Sequence, residues 1–479
     1  MTVNVYPGWP LRYAHIHVDG LRTDHAAGGT ICLWAEDDPA QVQAQDLDVL
    51  LTRLDEWATA AQSGFNVEDR ALDAYMLFDK RNGKHHAELP LSDILLLGGN
   101  GYMTALAATV AGSGLVRITT DTPDTKDTED SDKPRLRGAF YLRNNIGPPP
   151  RSLTDIEQAL TRRQREDLQR GLDARQSVAI AEVSGGYDFI VLAWPRHDRE
   201  HDAIVIAFAG AGPTLQAAAL PATSNDIAAR KRRAGPDADA LSDKTVLVAG
   251  VGSVGGHVAL ALACSGVGTL RLHDDDDLTS GNLVRHVCDD YLVGYMKTIG
   301  VSITIKSHAP WTTVDKRLAL PHAPDELAEQ IRDVDLVVDC TGTFHVTAAL
   351  AERCRRNDIP LITGALYHQG SLARIRRQAN GDTPIAARRS NPAYQQLPPE
   401  EPTAPHTGFL ELGCTAPVNN APPIAVLATA ADIAHAAVDL LTGRRDRPDE
   451  RTLVFRPIAD HYPTTGTFDG PPGPSTPSP

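Results

Sequence analysis

The stretch Thr245–Gly256, TVLVAGVGSVGG, decides how this chain is read. Thr245 to Ala249 is a short apolar run of strand type, Gly250, Gly252 and Gly255 follow it, and His257 to Cys264 reads as a helix. Glycines between a strand and a helix let backbone N–H groups approach a phosphate at the positive helix end. Thr269 to His273 reads as the next strand. It ends at Asp274, 24 residues after Gly250, where a carboxylate can accept hydrogen bonds from ribose hydroxyls. Up to this point an NAD enzyme fits equally well.

Further outward, Leu336 to Asp339, Leu361 to Ala365 and Ser371 to Arg376 read as strands, and Val346 to Arg356 and Ile424 to Leu441 as helices. Such alternation predicts an α/β fold, a Rossmann-like and mainly parallel sheet covered on both faces. The residues after Asp274 separate the two chemistries. Asp274 to Asp277 is followed by Asn282-Leu283-Val284-Arg285-His286 and then by Val293-Gly294-Tyr295-Met296-Lys297. Hydride transfer needs no cationic pair, whereas adenylation must neutralise charge growing on a leaving pyrophosphate. Arg285 and Lys297 supply that charge, with Mg²⁺ held by carboxylates.

The series GVGSVGG, RLHDDDD, NLVRH, VGYMK and DLVVDCTG, in this order from Leu247 to Ala365, resembles the ThiF/MoeB/ubiquitin-activating adenylation superfamily. The resemblance implies ATP-dependent adenylation of a protein's C-terminal carboxylate. Gly250, Gly252, Gly255 and Asp274 would bind the nucleotide, and Asn282, Arg285 and Lys297 would surround its phosphates. One position departs from the pattern: the family's D-x-T-D-N reads Asp339-Cys340-Thr341-Gly342-Thr343, so a carboxylate that binds magnesium in many members is Gly342. Asp339 is the candidate Mg²⁺ ligand in its place, with Asp276 as the alternative. The cysteine pairs of the MoeB branch's structural zinc are missing, which favours a divergent bacterial branch.

Two cysteines are candidate nucleophiles. Cys414, in Leu412-Gly413-Cys414-Thr415-Ala416-Pro417, precedes the apolar helix Ile424 to Leu441, and a thiol near a helix N-terminus is held partly as thiolate. Attack on an acyl-adenylate by cysteine yields a thioester that stays reactive. Tyr6-Pro7-Gly8-Trp9-Pro10, His25, Gly29, Ile31, Cys32 and Leu33 resemble, in order, the Y-P-x-x-P, H-P-N and G-x-I-C-L elements of a ubiquitin-conjugating core. The H-P-N element is only His25-Ala26-Ala27, so the Asn that usually stabilises the thioester oxyanion is missing. The match begins at residue 6, so the fold is abbreviated or the natural start lies upstream. His15-x-His17 with Asp24 lacks the Ser-x-x-Asp spacing of a zinc metalloprotease and suits a strand face.

The composition bounds the rest. Among 479 residues, 46 Lys+Arg against 61 Asp+Glu give a net charge of −15, and Arg230-Lys231-Arg232-Arg233 is the only basic knot, which argues against nucleic-acid binding. The apolar runs break before a bilayer span is reached, the N-terminus carries no signal-peptide pattern, and the six cysteines form no Cys-x-x-Cys pair. A cytoplasmic protein is expected.

Four regions follow: residues 1–85, ubiquitin-conjugating-like and abbreviated, containing an amphipathic helix from Leu47 to Ala61; 86–235, a mixed α/β block; 236–460, the ThiF-type adenylation domain; and 461–479, a disordered Pro-rich tail. The mixed block holds a flexible loop at 120–134, a charged helix from about Thr154 to Arg175, and a hairpin of Phe189–Ala193 with Ala203–Ala209. The function expected is activation of a ubiquitin-like or other carrier protein by adenylation, then thioester formation on Cys414. Transfer through Cys32 to a lysine-bearing target would follow, in a homodimer serving bacterial antiphage defence. The alternatives are an adenylyltransferase that passes sulfur and a catalytically weakened scaffold.

Overall fold

A computed structural model describes residues 15–17, 30–33, 46–63, 78–97, 103–120, 135–144, 150–195, 201–398, 420–458 and 460–471. Cys414, the Tyr6–Pro10 segment, His25 and residues 121–134 lie outside the described residues. The chain divides into two compact units, 1–226 and 227–479, so the first expected block and the second up to residue 226 fall within one unit. Residues 227–235 join the second unit for a visible reason. Arg230, on the short helix Ile227–Lys231, donates to the carbonyls of Ser307 and His308 at 2.6 and 2.8 Å, capping the end of the helix Lys297–His308.

In the first unit, His15–His17 pairs antiparallel with Thr30–Cys32, which sets Cys32 opposite His15 in register. The amphipathic run forms the helix Leu47–Ser63, with Leu50 and Trp57 buried and Leu47 and Leu51 largely exposed. The described residues also build an eight-stranded sheet. Its order is Ala222–Ser224, His86–Leu89, Leu115–Thr119, Met103–Val110, Leu136–Leu142, Phe189–Pro195, His201–Ala209 and Gln216–Leu220. The expected hairpin is present, Phe189–Pro195 lying antiparallel to His201–Ala209. Phe189, Val191 and Ala193 enter one core while Ile190, Leu192 and Trp194 enter the other, so this strand is apolar at successive positions because both faces are covered. The expected charged helix is two helices, Leu153–Ala159 and Arg162–Asp173. Leu160 and Thr161 are extended, and Thr161 starts the second helix with a reciprocal capping box to Gln164.

The second unit holds the adenylation-type sheet, in the order Thr313–Arg317, Thr269–His273, Thr245–Ala249, Leu336–Asp339, Leu361–Tyr367, Leu372–Gln378, Glu450–Val454 and Gly466–Asp469. The first five strands are parallel and the last three antiparallel. The helices Ser253–Cys264, Lys297–His308 and Pro423–Leu441 lie with one apolar core, and Pro324–Ile331 and Phe344–Arg356 with the core on the other face. The order of connections reverses between Thr245–Ala249 and Leu336–Asp339, which is where an open α/β sheet forms its ligand crevice.

Part of the tail expected to be disordered is an edge strand: Gly466–Asp469 pairs with Arg451–Val454, and Phe468 meets Tyr462 edge-to-face at 5.2 Å. Ladder hydrogen bonds and one aromatic contact outweigh the Pro- and Gly-rich composition there. Among the described residues, the helix Pro423–Leu441 is long and apolar enough to cross a membrane. Ala425, Val426, Thr429, Ala430, Ile433 and Ala437 on it are buried within the second unit, as in a core helix.

Candidate functional site

The glycine loop starts where Thr245–Ala249 ends. Gly250 has φ +75°, and a Cβ on it would stand 3.0 Å from the backbone of Thr341, in the loop after the neighbouring strand. A Cβ on Gly255 would lie 1.8 Å from the Gly250 carbonyl oxygen, so only glycine lets the loop close onto the first turn of the helix. Gly252 is the N-cap, without a side-chain cap bond, and open space lies where its Cβ would be. The orphan N–H groups of the helix Ser253–Cys264 therefore face a cradle that fits a phosphate.

Asp274 sits at the mouth of this loop. Its Oδ2 accepts the Val251 N–H at 2.8 Å and its Oδ1 the Asp276 N–H at 3.0 Å. Burial pushes its carboxyl above the ordinary value, and Lys297 with the two backbone bonds offsets part of that rise. Lys297 is bound twice to Asp276, through Nζ to Oδ2 at 2.6 Å and through its N–H to the carbonyl at 2.9 Å. Asn282 accepts the Thr279 N–H at 3.0 Å, which folds the turn before Arg285. Arg285 is half-buried and reaches the Ala421 carbonyl, at 3.5 Å, ahead of the helix Pro423–Leu441.

Two histidines unassigned in the sequence reading hold Arg285's segment in place. His286 donates from Nε2 to the Val251 carbonyl at 3.0 Å and accepts the Cys288 N–H on Nδ1 at 3.2 Å, and burial pushes its pKa down to about 4. His257, lowered by burial, bonds the Arg285 carbonyl. The signal for His286 was its place beside Arg285 in NLVRH; for His257 there was none.

Asp339 is 1% exposed, and both of its oxygens are engaged. Oδ1 accepts the Thr341 N–H and hydroxyl at 3.0 and 2.7 Å, and Oδ2 the hydroxyls of Thr347 and Thr363, the latter at 3.3 Å. The expected Mg²⁺ ligand thus spends its acceptors on shaping the loop against which Gly250 closes. Asp274, Asp275 and Asp276, by contrast, each offer an oxygen within 4.8 Å of the others, and Asp275 and Asp276 are exposed. Cys264, Cys288, Cys340 and Cys354 are free thiols whose pKa burial raises, in keeping with packing roles.

The ThiF family model matches residues 225–462. Residues 225–462 are a ThiF family domain. The ThiF domain aligns at 34% identity over 128 residues with molybdopterin-synthase adenylyltransferase of Escherichia coli K12, 26% of this chain and 51% of that protein. It aligns at 32% identity over 164 residues with the SAMP-activating enzyme E1 of Haloferax volcanii, 34% of this chain and 56% of that protein. The chain spans from about a quarter to just over half the length of the curated relatives it matches. Among solved structures, E. coli MccB with ATP superposes with a TM-score of 0.38 at 18% identity, covering 51% of this chain and 70% of that one.

Proposed function

We propose that the ThiF domain uses ATP to adenylate the C-terminal carboxylate of a carrier protein. The observation that supports this most directly is the convergence on one glycine loop of an uncapped helix N-terminus, the Asp274 carboxylate, and the segment carrying Arg285, with Lys297 bound beside Asp274. The relatives named as an adenylyltransferase and an activating enzyme point the same way.

A carrier carboxylate oxygen attacks the α-phosphorus, the bond to the β-phosphate breaks, and pyrophosphate leaves with the electron pair. Lys297 and Arg285 offset charge growing on that leaving group, and Asp274 orients the ribose. Asp274 to Asp276 would hold one divalent cation, which supplies further positive charge beside the phosphates.

In the finer reading, the Cys414 thiol loses its proton and attacks the acyl carbon, AMP leaves, and a thioester remains. Cys32 then takes the acyl group and a target lysine amine displaces the Cys32 thiol. The homodimer, the cytoplasm, the bacterial origin and the antiphage role belong to this finer reading. The printed name of the molybdopterin-synthase relative favours a second reading, an adenylate delivered to a sulfur donor without conjugation.

Intact mass spectrometry of the chain with ATP, Mg²⁺ and a candidate carrier, with and without reductant, tests both. A reductant-sensitive adduct lost in Cys414→Ala supports the relay. Pyrophosphate release without an adduct supports the second reading, and no turnover with any carrier removes the adenylation reading itself.

A further inference from the structure

His322 and His345 come from different connections of the second unit, yet their rings stand 6.3 Å apart, centroid to centroid, tilted by 34°. His322 lies between the strand Thr313–Arg317 and the helix Pro324–Ile331. His345 is in the first turn of the helix Phe344–Arg356, which follows the strand Leu336–Asp339. In the sheet these two strands are separated by Thr269–His273 and Thr245–Ala249, and the four run parallel, so both histidines stand at the edge where the strands end. Between them on that edge, the two inner strands lead into Asp274 and Gly250.

Both histidines are exposed, but the backbone under each is anchored. Leu320 and Leu327 on either side of His322, and Val346 and Leu350 just after His345, pack into one apolar core. His273 Nδ1 bonds the Leu318 carbonyl at 2.9 Å, and the Thr347 hydroxyl bonds Asp339. Two imidazoles are thus presented from fixed backbones with their side-chain torsions free to adjust, which is how a ligand pair is pre-organised.

Neutral imidazole suits Zn²⁺, Cu²⁺ and Ni²⁺, whereas Mg²⁺ and Ca²⁺ favour oxygen. A tetrahedral cation bound to two ring nitrogens at about 2.1 Å would hold the ring centroids about 5 Å apart. Closing the gap takes a shift of about 1 Å, which rotation of two exposed side chains supplies.

We propose that His322 and His345 form a two-histidine site for a divalent transition cation of the Zn²⁺ class, with water completing its shell. A cation held there ties together the connections on either side of the strand ends that carry Gly250 and Asp274. The site is separate from Asp274 to Asp276, whose oxygens suit Mg²⁺, and it stands whether or not the chain adenylates a carrier.

The test is calorimetric titration of the full chain with Zn²⁺, in a non-chelating buffer with Mg²⁺ in excess to occupy the carboxylates. His322→Asn, His345→Asn and the double variant are titrated in the same way, so that Zn²⁺ bound at other histidines is a common background. Each single variant is expected to bind one equivalent less than the wild type, the affinity at this site falling about 100-fold or more, since even an outer-shell partner is worth about 10–100-fold. The double variant should lose no more than either single variant, because one imidazole alone does not hold the cation. Without Zn²⁺ all four proteins should melt alike, which separates loss of a ligand from loss of the fold, and with Zn²⁺ the wild type should melt above the variants. Unchanged Zn²⁺ binding in either single variant, or a double variant that loses twice what each single one loses, overturns the site and leaves two independent surface histidines.

Discussion

His286 and Val251 are joined by a 3.0 Å hydrogen bond from Nε2 to the backbone carbonyl, while Nδ1 of the same ring accepts the Cys288 N–H. One neutral imidazole thus ties the glycine loop to the residue next to Arg285. Replacing it with leucine leaves a buried carbonyl and a buried N–H unpartnered, a loss of about 2 kcal/mol. His286→Leu is expected to lower stability in urea denaturation and to weaken ATP binding measured by calorimetry. His286→Gln, which keeps a donor, should retain more of both.

Lys297 separates charge from stability. Its partner Asp276 has a side chain 59% exposed while that of Lys297 is 13% exposed, so the ion pair is screened from the Asp276 side only. Lys297→Met should change unfolding free energy by about 1 kcal/mol. ATP–pyrophosphate exchange in the same variant should fall by about 100-fold or more, because the lost charge acts on the leaving group.

Gly255 and Gly252 make a contrasting pair. Gly255→Ala forces a methyl into the Gly250 carbonyl and is expected to cost about 3 kcal/mol, read as a lowered urea midpoint. Gly252→Ala meets nothing within 4 Å and should leave the midpoint nearly unchanged while weakening ATP binding, since the methyl occupies the phosphate cradle.

Acid should weaken the fold before most carboxylates titrate. Burial pushes His273 and His286 down to about 4, whereas in the unfolded chain they take up protons near 6.5. Between those values the unfolded state binds more protons, so stability falls as pH is lowered, by about 1 kcal/mol per histidine near pH 5.5. Urea midpoints at pH 7.5 and 5.5 are expected to differ in that sense. Asp274, raised by burial, acts oppositely, so Asp274→Asn should steepen the dependence.

The strands and helices around the glycine loop were legible because their signals are local. Apolar runs bounded by Gly250 and by Asp339 mark the strand ends, and the five ordered motifs lie along one stretch of chain. The break at Thr161 was missed although Thr161 and Gln164 carry a capping signature, because the surrounding charge pattern stays helical. The edge strand Gly466–Asp469 was missed because its partner is Glu450–Val454 and not its own neighbours.

By itself, then, the sequence determined the α/β character of residues 245–365, since local apolar periodicity marks strands and helices, and through its ordered motifs it nominated Gly250, Asp274, Arg285 and Lys297 as candidates for one site. Only the tertiary structure decided that Asp339 is consumed by four hydrogen bonds, that His286 and His257 brace Arg285's segment, and that Arg374 and Arg388 share Glu450. Those assignments depend on competition between side chains brought together from distant parts of the chain, and which partner wins a shared carboxylate is settled by three-dimensional geometry that no local pattern encodes.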